Sequence, residues 1–420
     1  MKLDRLKLHA FWNSLASNTA SPFVGFNVTA SGASDVLIGY VQAIGSLASA
    51  VSQLVGGRIA DRSGRRAGIA ILSSLMIGLL WMGSAFVQSP AFLAVSFTAI
   101  TLAVGFYLAG WTSIIGEASE KTEKGSFLSA FARLQTIGAL GALILTTAIT
   151  AYYPSYAVLY LLSGGFFIVS ALVLRGQKEQ RVERAAMSEA GIASLRMYYV
   201  VSGVYGLFWG FAWPLFTITL VRVVNMDLFQ YSLAQVVGAA ATITFQPVVG
   251  RFVDRNRKTA VFWGRMGLVV YPFTYMFFTA AWQVYIVNVF SGLTNALLNV
   301  AFVAYLYDIS PAGERGRYSA EFNLVTGVTT MAGSLAAGYA LSALNATNTL
   351  WLSLAYLYLM AAAGRALAAL LHLRLPYARR VQSEEVRQTG WEETTEGPSR
   401  AAGLRASPSP LRTHPLGYPS

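Results

Sequence analysis

Two short charged segments of the 420-residue chain repeat each other. Gly57-Arg58-Ile59-Ala60-Asp61-Arg62-Ser63-Gly64-Arg65-Arg66 is followed, 193 residues later, by Gly250-Arg251-Phe252-Val253-Asp254-Arg255-Asn256-Arg257-Lys258. A carboxylate set among arginines can pair with the cations beside it or face the positive N-terminal end of another helix. Such a segment is therefore either a latch that opens and closes or a plain anchor for a helix end. Arg58 and Arg62 are placed to cap the carbonyls of the preceding helix. Glu117, with Lys124-Gly125 and Phe127 after it, is echoed at an offset of 191 by Asp308, Arg315-Gly316 and Tyr318. Glu117 and Asp308 are natural partners for the same arginine clusters.

Polar residues also stripe the apolar segments. Asn288, Gly292, Asn295 and Asn299 are spaced by 4, 3 and 4, which is one face of a helix. Tyr198, Ser202, Tyr205, Trp209 and Trp213 make a second such face; Ser14, Asn18, Ser21 and Gly25 a third; Thr101, Tyr107 and Trp111 a fourth. An amide in an apolar helix must find partners, so a stripe is either hydrogen-bonded glue between helices or the wall of a wet, solute-binding cavity. Arg133 is either a structural cation, snorkelling or paired with Glu321 or Glu117, or a cavity group that attracts an anionic solute. Arg365 lies close to the end of its apolar run and is expected to snorkel.

Other chemistries are excluded by what is missing. All nineteen Asp and Glu fall in loops, helix ends or polar segments, except Glu321 a few residues into an apolar run, so no mid-membrane acid is available to carry a proton. Asp35 and Asp227, at the ends of two runs, read as helix caps. The chain has no Cys, and its three His, His9, His372 and His414, lie near its ends, which argues against a metal or thiol centre. There is no phosphate-cradling Gly-rich motif ending in Lys-Ser/Thr and no His-Glu-x-x-His. The expectation is a protein that is not an enzyme and has no cofactor.

The elements that carry these residues are apolar. The chain is 55% hydrophobic and 12% charged, about half the charge of an ordinary soluble domain. Twelve runs are long enough to cross a bilayer: 9–31, 35–56, 67–88, 91–115, 127–151, 156–175, 197–221, 229–250, 260–280, 283–307, 319–343 and 349–372. The fold expected is an all-α polytopic membrane protein of two six-helix bundles, 1–175 and 197–375, with a cytoplasmic linker 176–196 and a disordered tail 376–420. With both termini cytoplasmic, 28 of the 31 Lys and Arg fall on that side, one, Arg222, lies outside, and Arg133 and Arg365 lie within runs. That is the positive-inside pattern. Nucleic-acid binding would need the cations gathered on one face, and here seven separate segments share them.

The first loop resembles the signature loop of the major facilitator superfamily of secondary transporters, Gly-x-x-x-Asp-Arg-x-Gly-Arg-Arg/Lys, matched at Gly57, Asp61, Arg62, Gly64, Arg65 and Arg66. The second copy is one residue shorter and lacks the inner Gly. The resemblance covers residues 1 to about 375 and implies alternating access, with a solute cavity between the halves lined by helices 1, 4, 7 and 10. It implies that Asp61 faces the start of helix 11, near Tyr318, to close the cytoplasmic side. On those helices the solute-binding candidates are Asn18, Tyr107, Trp111, Tyr205, Trp209, Trp213, Asn288, Asn295 and Asn299, and Arg133 on the fifth run is a further one. The gating candidates are the signature residues with Arg58, Glu117, Gly250, Asp254, Arg255 and Asp308. The expected partners are a small organic solute and the lipid bilayer of the cell membrane, with the chain acting as a monomer. A multidrug-type efflux protein and a transport-inactive receptor are the alternatives.

Overall fold

The computed structural model describes residues 3–87, 89–120, 124–176, 192–255, 257–309 and 315–374, and they are helices joined by short turns. The N-terminal half holds α1 (Leu3–Ala20), α2 (Val24–Ala30), α3 (Asp35–Ser63), α4 (Arg66–Ser84), α5 (Pro90–Glu120), α6 (Lys124–Tyr152) and α7 (Tyr156–Leu174). The C-terminal half holds α8 (Ile192–Ile218), α9 (Leu228–Arg255), α10 (Arg257–Gly267), α11 (Val270–Tyr275), α12 (Ala281–Ile309), α13 (Arg315–Asn345) and α14 (Leu350–His372). The tail and most of the linker lie outside the described residues.

Local chemistry sets the ends of these helices. The Ser34 side chain accepts the Leu37 N–H to start α3, and Thr349 accepts from Leu352 to start α14. Asp227 accepts the Gln230 N–H at 2.7 Å while Gln230 Oε1 accepts the Asp227 N–H at 3.2 Å, a reciprocal capping box before α9. Asp227 is thus a cap, as its position suggested, whereas Asp35 is not; Ser34 caps α3.

Two of the long apolar runs are broken, each at a proline. Pro22 sits in a 3-10 turn, Ser21–Phe23, between α1 and α2. Pro272 lies in α11, four residues after the Leu268–Val269 turn that ends α10. A proline has no N–H to give the carbonyl four residues back, so it interrupts a helix at that point.

Nine helical spans among the described residues are long and apolar enough to cross a membrane. The runs at 9–31 and 260–280 are the two divided by proline, and 283–307 extends into residues whose side chains lie outside the described set. Large apolar side chains such as Leu72 (61% exposed), Leu79 (63%) and Val95 (70%) cover the outside of the bundle. An apolar surface of this extent is what a bilayer covers.

Within the N-terminal half α1 packs on α6 and α7, α3 on α5, and α4 on α5 and α7; in the C-terminal half α8 packs on α13 and α14, and α9 on α12. The halves meet where α3 runs along α13 and α6 along α9. Glycines let α3 and α13 come this close: a Cβ at Gly39 would lie 2.6 Å from the Ser334 carbonyl oxygen, and one at Gly338 would lie 2.6 Å from that of Asp35. Gly338→Val is therefore expected to force these helices apart, at a cost of about 1–3 kcal/mol. Thermal unfolding of the purified protein checks this; an unchanged melting temperature would mean the helices separate without penalty.

Candidate functional site

A cavity of about 490 Å³ lies between the halves. One wall is aromatic: Trp213 and Phe216 from α8, Tyr231 from α9 and Tyr275 from α11. The other groups are amides and hydroxyls: Gln42 of α3, Gln235 of α9, Asn288, Ser291 and Asn295 of α12, and Thr217 of α8. Among the described residues, no carboxylate and no cation lines it.

The amides are held by the protein through their nitrogens. Asn288 Nδ2 donates to the Ala234 carbonyl at 2.9 Å, and a carbonyl can only accept, which fixes the flip of this amide. Gln42 Nε2 donates to Thr217 Oγ1, whose own proton goes to the Trp213 carbonyl. Asn295 Nδ2 contacts Ser291 Oγ at 3.0 Å. The site thus offers amide oxygens as hydrogen-bond acceptors beside flat aromatic faces. That combination suits a solute carrying hydroxyl or N–H donors on a ring.

One end of the cavity is closed by contacts between the halves. Tyr231 stacks on Phe26 at 4.3 Å and donates to the Pro22 carbonyl at 3.0 Å, so the broken first run supplies an acceptor to the opposite half. Further out, Arg222 Nη1 meets Asp35 Oδ1 at 2.7 Å and Arg222 Nη2 donates to the Ala33 carbonyl at 2.8 Å. Asn345 Nδ2 lies 3.3 Å from the second Asp35 oxygen. The Arg222 side chain comes from a π-helical turn, Thr219–Val223, which continues α8 and re-aims its last residues. Ser334 Oγ donates to the Gly39 carbonyl at 2.7 Å and completes the seam.

The candidates drawn from the sequence fall into separate places. Trp213, Asn288 and Asn295 line the cavity. Asn18 does not; its Nδ2 donates to the Ser14 carbonyl within α1 at 2.8 Å. Tyr107 and Trp111 are buried in the N-terminal bundle, where they enclose His9. His9 Nε2 lies 3.0 Å from the Tyr107 hydroxyl, its Nδ1 2.8 Å from the Ser170 carbonyl, and its ring 4.5 Å from that of Trp111. This burial follows because α1 starts at Leu3, ahead of the apolar run, which sets His9 well inside the bundle. Arg133 is exposed on α6, away from the cavity. The Asn299 side chain lies outside the described residues.

Tyr205 and Trp209 are not cavity groups either. They carry two buried arginines, from helices on the far side of the C-terminal bundle. Arg265 lies 4.0 Å from the centre of the Tyr205 ring and within 3.2 Å of His372 Nδ1. Arg365 lies 4.8 Å from the Trp209 ring centre and donates to the carbonyls of Phe208, Trp209 and Leu268 at 3.3, 3.2 and 3.0 Å. Both arginines are 1% exposed, so neither snorkels. The Leu268 carbonyl is the one that Pro272 leaves without its helical N–H donor, and Arg365 supplies the replacement. Arg365→Met should leave that carbonyl orphaned in an apolar bundle and lower the melting temperature strongly, by about 2–4 kcal/mol of stability. Arg365→Lys should recover part of it, since a lysine keeps the charge but not the fork of donors. Equal melting temperatures for the Met and native proteins would show that the three contacts carry no stability.

At the signature loop, Gly64 takes φ +66° and its N–H bonds the Ala60 carbonyl, closing α3 with a left-handed cap that favours glycine. That bond covers one carbonyl of the helix end, and Arg58, Arg62 and Arg65 are exposed. Gly57 lies within α3 and Arg66 begins α4, both half-buried. The side chains of Asp61, Glu117, Asp254, Arg255 and Asp308, and the burial of Gly250, lie outside what is described.

Comparisons with known proteins agree with this architecture. The model of the Major Facilitator Superfamily matches residues 8–197 and 198–416. Among solved structures, a mutant of the nucleoside transporter NupG aligns with a TM-score of 0.73 at 11% identity, over 89% of this chain and 100% of that one. An auto-inhibited peptide transporter of the POT family gives 0.72 at 12% identity, over 89% and 98%. A D-xylose-proton symporter gives 0.69 at 17%, over 90% and 99%. No curated protein sequence matches. At such identities the likeness to these structures is one of fold.

Proposed function

The chain belongs to the major facilitator superfamily, and we propose that it carries an uncharged, ring-bearing organic solute across the membrane by alternating access. The observation that carries this reading is the cavity between the halves, which sets the amide oxygens of Gln42, Asn288 and Asn295 against an aromatic wall, with no carboxylate among the described residues that line it. Neutral hydrogen-bond acceptors beside π faces suit sugar hydroxyls and the ring N–H groups of bases. Nucleosides and D-xylose, the solutes after which two structural neighbours are named, belong to that class.

In this reading the chain crosses the cell membrane twelve times, in halves 1–175 and 197–375 joined by the linker 176–196. Both termini and the tail 376–420 are cytoplasmic, and the chain acts as a monomer without a cofactor. The Lys and Arg distribution supports that orientation. The seam of Asp35, Arg222 and Asn345 then lies at the outer end, and the state described is closed there. Asp61 closes the cytoplasmic end in the alternate state, with Glu117, Asp254, Arg255 and Asp308 around it. Asp61→Asn is expected to slow transport while leaving the melting temperature unchanged; full transport by this variant, measured in proteoliposomes, would make Asp61 an anchor only.

A thermal-shift screen of the purified protein tests the solute class, because a ligand that binds only the folded state raises the melting point. Uncharged nucleosides, pentoses and hexoses should supply the hits. A screen in which only lipophilic drugs raise the melting point would favour efflux, the reading for which the aromatic wall alone speaks.

A further inference from the structure

The aromatic side chains of α8 form a file that leads from the cavity into the C-terminal bundle. Trp213 and Phe216 line the cavity. Trp213 meets Trp209 edge-on at 5.9 Å, and Trp209 stacks on Tyr205 at 5.8 Å. Arg365 lies behind this file, 5.4 Å from the ring centre of Phe216 as well as 4.8 Å from that of Trp209. One ring therefore separates a guanidinium group from the space where solute would sit.

The charge of Arg365 is full and its partners carry none. Arginine stays protonated in proteins at physiological pH. What holds it is three backbone carbonyls and two rings. These dipoles and quadrupoles stabilise the cation at contact distance, but they have no net charge, and their fields fade faster with distance than that of a point charge. Across the wall, the described residues of the cavity lining offer no carboxylate in compensation. Among the described acids, Asp35 is tied to Arg222, Asp227 caps α9, and Glu321 accepts from the Tyr199 hydroxyl near the start of α8. The cavity is left with a positive potential in a poorly screened setting.

We propose that Arg365 is a charge filter for the cavity, which favours uncharged or anionic solutes and repels organic cations. This rests on the cavity being the solute site. With the cation roughly 9–10 Å from a bound solute and an effective dielectric constant of about 20, the bias against a monocation is on the order of tenfold. It also separates this cavity from one built for cationic drugs, which would place an acid where Arg365 places a cation.

The absence of Cys from the chain permits a direct test without knowing the solute. Ser291 lines the cavity, and Ser291→Cys puts a single thiol there. Its reaction rates are measured with three methanethiosulfonates: the cationic trimethylammonium-ethyl, the anionic sulfonatoethyl and the neutral methyl reagent. The anionic-to-cationic rate ratio, divided by the same ratio for free 2-mercaptoethanol, is expected to be on the order of 100-fold above one, because the tenfold bias acts on the two charges in opposite directions. It should fall toward one when Arg365→Gln is added, which keeps an N–H donor near Leu268, and stay high with Arg365→Lys. Should the glutamine variant not fold, the ratio in the Ser291→Cys protein alone decides. A ratio near one, with the neutral reagent reacting, overturns the filter and leaves the cavity as solute site intact. No reaction with the neutral reagent overturns both, because the cavity would then be closed to solutes of that size.

Discussion

Asn288→Ala is expected to weaken binding of the uncharged solute by about 10- to 100-fold. The Asn288 amide nitrogen is fixed on the Ala234 carbonyl, so its oxygen is oriented before any solute arrives. A donor on the solute that meets this oxygen inside the cavity would be left without a partner in the variant, at about 1–3 kcal/mol. The same substitution removes one link between α9 and α12, so the melting temperature of the unliganded protein must be measured alongside. Isothermal titration of native and variant proteins with the strongest hit of the thermal-shift screen checks the loss. Asn288→Asp is the sharper control: it keeps the shape and adds a negative charge opposite the wall backed by Arg365. Unchanged affinity in Asn288→Ala, with the fold intact, would remove α12 from the solute site.

Asp35→Asn and Arg222→Gln should each open the seam at the end of the molecule that they occupy. The pair joins α3 to the π-helical turn after α8, and Arg222 also holds the Ala33 carbonyl. Asp35 is largely buried, with 10% of its side chain exposed, while Arg222 keeps 29%. Breaking a fully buried pair would cost about 3–5 kcal/mol; with Arg222 this wet, about 1–3 kcal/mol is the reasonable expectation. That shifts the balance between closed and open states by roughly 10- to 100-fold. Spin labels on cysteines placed at Thr347 and Ser89, at the ends of the two halves, should show a longer distance population in either variant. The charge-swapped double variant, Asp35→Arg with Arg222→Asp, should recover part of the short population. Identical distance distributions in all three proteins would show that the glycine-lined contact of α3 with α13 closes this end without the ion pair.

Much of the architecture was legible in the chain itself. The offset repeat around Asp61 and Asp254 and the alternation of apolar runs with basic loops point to two related halves in a membrane. The polar stripe of the tenth run led to Asn288 and Asn295, because amides at helical spacing in an apolar run need a wet or hydrogen-bonded face. Helical spacing, however, does not say which neighbour a face meets. The stripe carrying Tyr107 and Trp111 turns toward His9 inside its own bundle, and Tyr205 and Trp209 turn toward Arg265 and Arg365.

The buried arginines show why this was hidden. A cation near the end of an apolar run is read as snorkelling, since lipid offers it nothing. Arg365 stays inside because the break before Pro272 frees a carbonyl, and only the packing of α14 against that break brings donor and acceptor together. Pro22 and Pro272 were visible as prolines, but the partners of the groups they free were not. Gln42, Thr217, Tyr231 and Gln235 were missed for a related reason. Gln42, Tyr231 and Gln235 sit on helices outside the four expected to line the site, and Thr217 continues the face of Trp213 by one helical step beyond the end of its stripe.

The most direct measurement is solute counterflow in proteoliposomes holding the purified protein, with a panel of labelled uncharged nucleosides, pentoses and hexoses inside and out. Saturable exchange of at least one of them, lost in Asn288→Ala and absent for the cationic dye ethidium, is the predicted result. Binding of these solutes without exchange would make the protein a receptor, and exchange of ethidium alone would make it an efflux protein; either would contradict the transport of an uncharged solute through this cavity.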